Sequence, residues 1–88
     1  MKTNKNVIRR NVAGDDILIP VHDSAKEHNG LFVLTPTGAE IWDMLVEEKS
    51  PEEIVEIISR EYEVDADMVR ADVDALIKKL KDMGLLED

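Results

Sequence analysis

The sequence predicts an α+β domain: a three-stranded antiparallel β-meander followed by a three-helix bundle of winged helix-turn-helix type. Three observations carry that prediction. β-branched and turn-forming residues dominate as far as Leu34, and apolar residues recur at three- and four-residue steps from Ala39 onward. The changeover falls on one short junction, Thr35-Pro36-Thr37. The chain has 88 residues, the size of one domain that buries only roughly 60% of its unfolded surface. A single domain over residues 1–88 is therefore expected, with strands over about 7–34 and helices over about 36–84.

The first strand lies in NVIRRNVAG, which is rich in β-branched residues and stops at the turn-forming Gly14-Asp15-Asp16. DILIPVHD supplies the second. Pro20 lacks a backbone donor, which predicts an edge strand or a bulge at that point. SAKEHNG is a polar connection whose Asn29-Gly30 suits positive φ. LFVL, Leu31 to Leu34, is a short third strand that is apolar on both faces. Three strands this short do not stand alone and need the helices as a second layer.

Thr35 or Thr37 caps a first helix running to about Glu47, with Ala39, Trp42, Leu45 and Val46 inward and Ile41 beside them. SPEEIVEIISREY opens with an N-cap serine, a proline at the first helical position and Glu53 three residues after the cap. Its buried stripe is Ile54, Val55, Ile57 and Ile58. The third helix starts at Asp65, with Asp67 in its first turn. Val69, Val73, Leu76, Leu80 and Met83 follow at helical spacing. Lys78, Lys79 and Lys81 favour its C-terminal end, and Gly84 stops it.

Composition narrows the function. The apolar fraction of 43% is that of a globular protein, and no stretch approaches the roughly 20 apolar residues of a membrane span. MKTNKNVIRR has no apolar signal-peptide core, so a cytoplasmic protein is expected. There is no cysteine, hence no disulfide or thiolate ligand. Residues 1–34 hold five basic and four acidic side chains, residues 35–88 six basic and sixteen acidic. A helical half with that excess of acid repels phosphate, which argues against a nucleic-acid partner.

Catalytic patterns are missing. His22 and His28 match no metal-ligand spacing, and the four glycines are isolated rather than gathered into a phosphate loop. The paired acids fall at helix ends or on solvated faces, where nothing separates their pKa values for acid–base work. A non-enzyme with no cofactor and no metal is expected. Trp42 reads as core rather than as a stacking platform, its indole N–H finding a partner at the rim.

LTPTGAEIWDML carries a resemblance to a known family. A leucine, a short polar turn, Thr-Gly-Ala, an aliphatic-Trp pair and a closing leucine together resemble the signature of the PqqD family. SPEEIVEIISREYEVD is similar to that family's second helix, and VRADVDALIKKLKDMGLL to its third with the closing Gly-Leu-Leu. The similarity runs from about Val7 to Leu86. It implies a precursor-peptide recognition domain of ribosomal peptide natural-product pathways, including PQQ-like biosynthesis. Such domains bind the leader of a substrate peptide and present it to a modifying enzyme, commonly a radical-SAM protein. It also implies the mode of binding, in which the leader adds a strand to the third strand's edge and packs on the third helix.

On this sequence the implied peptide site is Leu31, Phe32, Val33 and Leu34 from the strand, with Val69, Arg70, Asp72, Val73, Asp74 and Ile77 from the helix. Strand addition gives affinity through backbone bonds, and side-chain pockets give specificity. Projected at 100° per residue, Val69, Val73, Leu76 and Leu80 centre the third helix's stripe. Ile77 falls on one flank, with Arg70, Asp74 and Lys81 further round that side. The same residues also fit a simple core with an i, i+4 Arg70–Asp74 surface pair. The role of Asp72, a helix-surface hydrogen bond or a leader contact, stays open. Two other functions share the skeleton: a winged-helix DNA-binding regulator, and a module that self-associates through the same strand edge. The first is disfavoured by five acids against four bases over residues 65–83. A monomer or weak dimer is expected.

Overall fold

The turn at Ala13-Gly14 sets the geometry of the sheet. In the computed structural model, which describes residues 1–20 and 32–87, β2 (Val7–Val12) and β3 (Asp15–Pro20) are joined by these two residues alone. Both have positive φ, 52° at Ala13 and 89° at Gly14. A two-residue hairpin needs that backbone because its twist matches the flanking strands. Asp15 and Asp16, expected in the turn, are the first residues of β3 and pair with Val12 and Asn11. The tightest turn wins because it leaves the fewest backbone groups unpaired.

β4 (Phe32–Leu34) pairs antiparallel with β3, Asp16 opposite Leu34 and Leu18 opposite Phe32. The sheet order is β2-β3-β4, so the strand ending in Pro20 is central. The edge position expected from Pro20 is therefore overturned. Proline is tolerated because it is the last residue of β3, beyond Leu18 where the described pairing with β4 ends. Leu31, His22, His28 and the Asn29-Gly30 turn lie outside the described residues.

Pairing puts Val7, Leu18, Phe32 and Leu34 on the inner face of the sheet, and Ile8, Ile17, Ile19 and Val33 on the outer one. Leu18 is fully buried and Val33 is 60% exposed. Arg9 reaches from the inner face to Asp43 of the first helix, 3.2 Å, and to Asp16, 3.8 Å. Both pairs are partly exposed and contribute little beyond orientation.

Three helices cover that inner face. α1 (Pro36–Val46) is capped by Thr35, whose Oγ1 accepts from the Gly38 N–H at 3.0 Å. α2 (Pro51–Tyr62) begins with the capping box expected of Ser50 and Glu53, both reciprocal bonds being present. α3 (Ala66–Asp82) is capped by Asp65, which accepts from the Asp67 N–H at 2.8 Å. It ends where Gly84 takes φ 73° and the Leu85 N–H returns to the Leu80 carbonyl. α2 and α3 pack closely together, and Leu45, Ile54, Val73, Leu80 and Leu85 join Leu18 in the fully buried centre. Each such side chain contributes roughly 1.5–3 kcal/mol by burial.

One core expectation fails on α1. Val46 is 53% exposed, and Met44 is buried instead. The helix is wedged between sheet and helices, so its buried arc is broad, and Val46, three residues after exposed Asp43, lies outside it. Two further strands escape sequence patterning because they are two residues long. β1 (Lys2–Thr3) pairs with β5 (Leu86–Glu87). Asn4 locks the same junction, its N–H to the Leu85 carbonyl at 3.0 Å and its Nδ2 to the Gly84 carbonyl at 3.1 Å.

Two substitutions test these local devices by thermal melting. Ser50→Ala removes the α2 cap and should cost about 1 kcal/mol. Ala13→Asn places a residue that tolerates left-handed backbone in the hairpin and should stabilise by about 0.5 kcal/mol or more. A destabilised Ala13→Asn would mean that the turn does not hold the conformation described.

Candidate functional site

The hairpin parity decides which backbone groups are free on β4. In a two-residue hairpin the flanking pair, Val12 and Asp15, exchanges both hydrogen bonds. Alternation then points the Asp15 and Ile17 amides at β2 and those of Asp16 and Leu18 at β4. Their partners Leu34 and Phe32 bond back to β3. The N–H and C=O of Val33 therefore point away from the sheet, along an edge that no described strand occupies. An unpaired edge is a template for another chain.

That edge borders a groove of about 880 Å³. Phe32, Val33 and Leu34 form one wall, Asp72, Ala75, Leu76 and Lys79 of α3 the other, and Thr37, Gly38 and Ile41 of α1 close it. Ala75 is exposed, and its small side chain leaves room that a longer one would fill. Half-buried Phe32 and Leu76 give the groove its apolar surface. Gly38 permits the close approach of α1 to the strand. A Cβ there would meet Thr35 Oγ1 at 3.1 Å and Leu34 Cδ2 at 3.5 Å.

Charges edge the groove. Lys79 Nζ lies 5.8 Å from the centre of the Phe32 ring, a cation–π contact. Lys78 pairs with Asp82 at 3.0 Å. Tyr62, from the end of α2, donates to Glu40 at 2.6 Å. That hydrogen bond, then desolvation and the nearby carboxylates, raises the phenol above its ordinary value, while Thr37 partly opposes the shift. Glu61 is raised as well, chiefly by its own hydrogen bond to Glu40. Among the described residues no three His, Cys, Asp or Glu side chains are gathered to hold a metal.

The helix residues expected to meet a peptide divide three ways. Asp72 lines the groove. Val69, Val73 and Ile77 are core side chains, 6%, 0% and 8% exposed. Arg70 and Asp74 are exposed but are not among the residues that line the groove. The reason is helical geometry. The apolar stripe of α3 has two flanks, one through Arg70, Asp74 and Lys81 and one through Asp72, Ala75 and Lys79. Only the second borders β4. Ala75, Leu76 and Lys79 were missed as wall residues, although an exposed alanine beside a half-buried leucine marks where a helix leaves space.

A scan against protein families matches residues 22–86 to PqqD, described as coenzyme PQQ synthesis protein D. The match covers well over half of the sequence. The chain belongs to the PqqD family. A search of curated proteins finds no match to the sequence. Among solved structures, TbiB1 in complex with the TbiA(beta) leader peptide is 32% identical to this PqqD-family chain. The alignment covers 99% of this chain and 95% of TbiB1, with a TM-score of 0.81. A lasso peptide synthetase B1 complexed with its leader peptide is 21% identical over 99% of this chain and 96% of its own, also at TM-score 0.81. The second likeness shows the PqqD-type fold, which agrees with the α+β architecture expected from the sequence.

The Tyr62–Glu40 bond carries its own test. A raised phenol pKa adds stability that is fully present below the ordinary value of about 10 and is lost as pH rises through the raised one. Ultraviolet titration should place the Tyr62 transition above that of a free phenol. Glu40→Gln should move it back, and an unchanged transition would show that the bond does not form.

Proposed function

We propose that this PqqD-family chain is a non-catalytic adaptor that binds the leader of a ribosomally made precursor peptide and presents it to a modifying enzyme. The observation that carries this reading is a β4 edge at Val33 that no described strand occupies, beside a groove walled by α3. A leader adding a strand there satisfies the Val33 N–H and C=O and places alternate side chains between Phe32 and Leu76. That TbiB1, 32% identical, is in complex with a leader peptide supports leader binding by this chain. A radical-SAM protein or another enzyme of such a pathway is the recipient, and the adaptor works in the cytoplasm without a cofactor.

Within this reading Phe32, Val33, Leu34 and Asp72 meet the leader directly, as does Leu31 if the added strand extends past Phe32. Val69, Val73 and Ile77 act from beneath, holding α3 at its distance from β4. Arg70 and Asp74 are left for the modifying enzyme or for solvent. The acidic patches have no role in chemistry here. The one raised carboxyl, Glu61, stands near the end of α2 and is not among the residues lining the groove, so no acid–base pair is assigned there.

Val33→Pro separates binding from folding. Its ring replaces an amide that points into the free edge, so no bond within the sheet is lost and the thermal melt should change little. Affinity for the leader of the precursor peptide encoded beside this chain, followed by amide NMR, should fall at least about tenfold, since one bond is removed and the ring blocks the strand. Val33→Ala should bind within about threefold, because the exposed side chain lies on the outer face. Full binding by Val33→Pro would rule out strand addition at this edge.

A further inference from the structure

The charges along the groove are sorted by end. Lys79 over Phe32 sets the C-terminal half of α3 beside the start of β4. Tyr62, bonded to Glu40, sets the first turns of α1 beside the end of α2. Only Glu63, Val64 and Asp65 separate that point from α3, so the start of α3 lies at this end too. β4, which leads into α1, therefore runs along the groove in the opposite sense to α3. Asp72 lines the wall toward the α1 end, and Glu40 accepts the Tyr62 hydroxyl there. Met68, one turn before Asp72 and 67% exposed, and Tyr62, 44% exposed, continue the apolar surface in that direction.

We propose that the groove reads the charge order of its peptide, an extended segment running antiparallel to β4, with Lys or Arg on its N-terminal flank, against Asp72, and Asp or Glu on its C-terminal flank, against Lys79. The inference rests on the peptide-binding reading and adds to it a substrate class. Antiparallel addition continues the pairing of β2, β3 and β4 and is the slightly stronger ladder. It sends the peptide's N-terminal flank to the α1 end. The starts of α1 and α3 also lie there, each worth about +0.5 charge, but Thr35 and Asp65 already cap them. Asp72 is then the charge that faces the groove at that end. At the other end Asp82 neutralises Lys78, which leaves Lys79 as the cation facing the groove. A segment with the opposite charge order would meet like charge at both ends, so the rim selects direction where backbone pairing alone would not.

The test is selection of peptides from a random display library, each long enough to span the groove, against the full chain. Wild type should enrich an alternating apolar core with a basic residue before it and an acidic residue after it. Asp72→Lys should lose the basic preference alone and Lys79→Glu the acidic preference alone, with thermal melts unchanged because both positions are exposed. A peptide selected on wild type should lose about threefold to tenfold in affinity for either variant, the scale of one exposed charge reversed. If a reversal variant melts early, Asp72→Asn and Lys79→Gln replace the pair. Apolar peptides without charge order, or with the order inverted, overturn this inference and leave peptide binding standing. No enriched peptide at all overturns both.

Discussion

The two residues of the β2–β3 turn constrain everything that follows in the chain. With Ala13 and Gly14 both at positive φ, Val12 must face Asp15. From that point every side chain and every amide in the sheet has an assigned direction. Leu18, Phe32 and Leu34 face the helices, and the Val33 amide faces outward. A shift of one residue in that pairing would expose Leu18 and turn the Val33 amide inward. The free edge and the core are thus set by the same alternation.

α3 serves both of them. Its centre, Val69, Val73, Ile77 and Leu80, is core, while its flank through Asp72, Ala75 and Lys79 is the groove wall. A helix rolled by one residue, about 100°, would bury the wall and expose the core. Tight interior packing makes that roll costly, so the width of the groove is held by residues that do not line it. Gly38 acts in the same way from the other side, bringing α1 against Leu34 while its N–H satisfies the Thr35 cap.

The closure of the chain ends supports the helix. β1 and β5 are too short to be stable alone, yet Asn4 ties the N-terminal segment to the carbonyls of Gly84 and Leu85 directly after α3. Leu85 and Leu86 are buried at that junction. The C-terminal half of α3, which carries Lys79 to Phe32, is therefore anchored at its exit as well as along its stripe.

The sequence by itself determined the three helices and the caps of the second and third, leaving the first between Thr35 and Thr37. Those signals are local: Ser50 and Glu53 three residues apart, Asp65 before Asp67, Gly84 after the last turn. It determined family membership through ordered motifs, but not the sheet's inner face: Leu31 to Leu34 is apolar on both faces, and only the strand register separates Leu34 from Val33. Tertiary structure alone decided which strand is central, where Val46 points and which flank of α3 meets β4. A helical projection shows that an apolar stripe has two flanks, but nothing in it says which neighbour lies beside each. Arg70 and Asp74 were as eligible as Asp72 and Lys79 until β4 was placed. That choice depends on contacts distant in sequence, Phe32 with Lys79 and Tyr62 with Glu40, which no local pattern encodes.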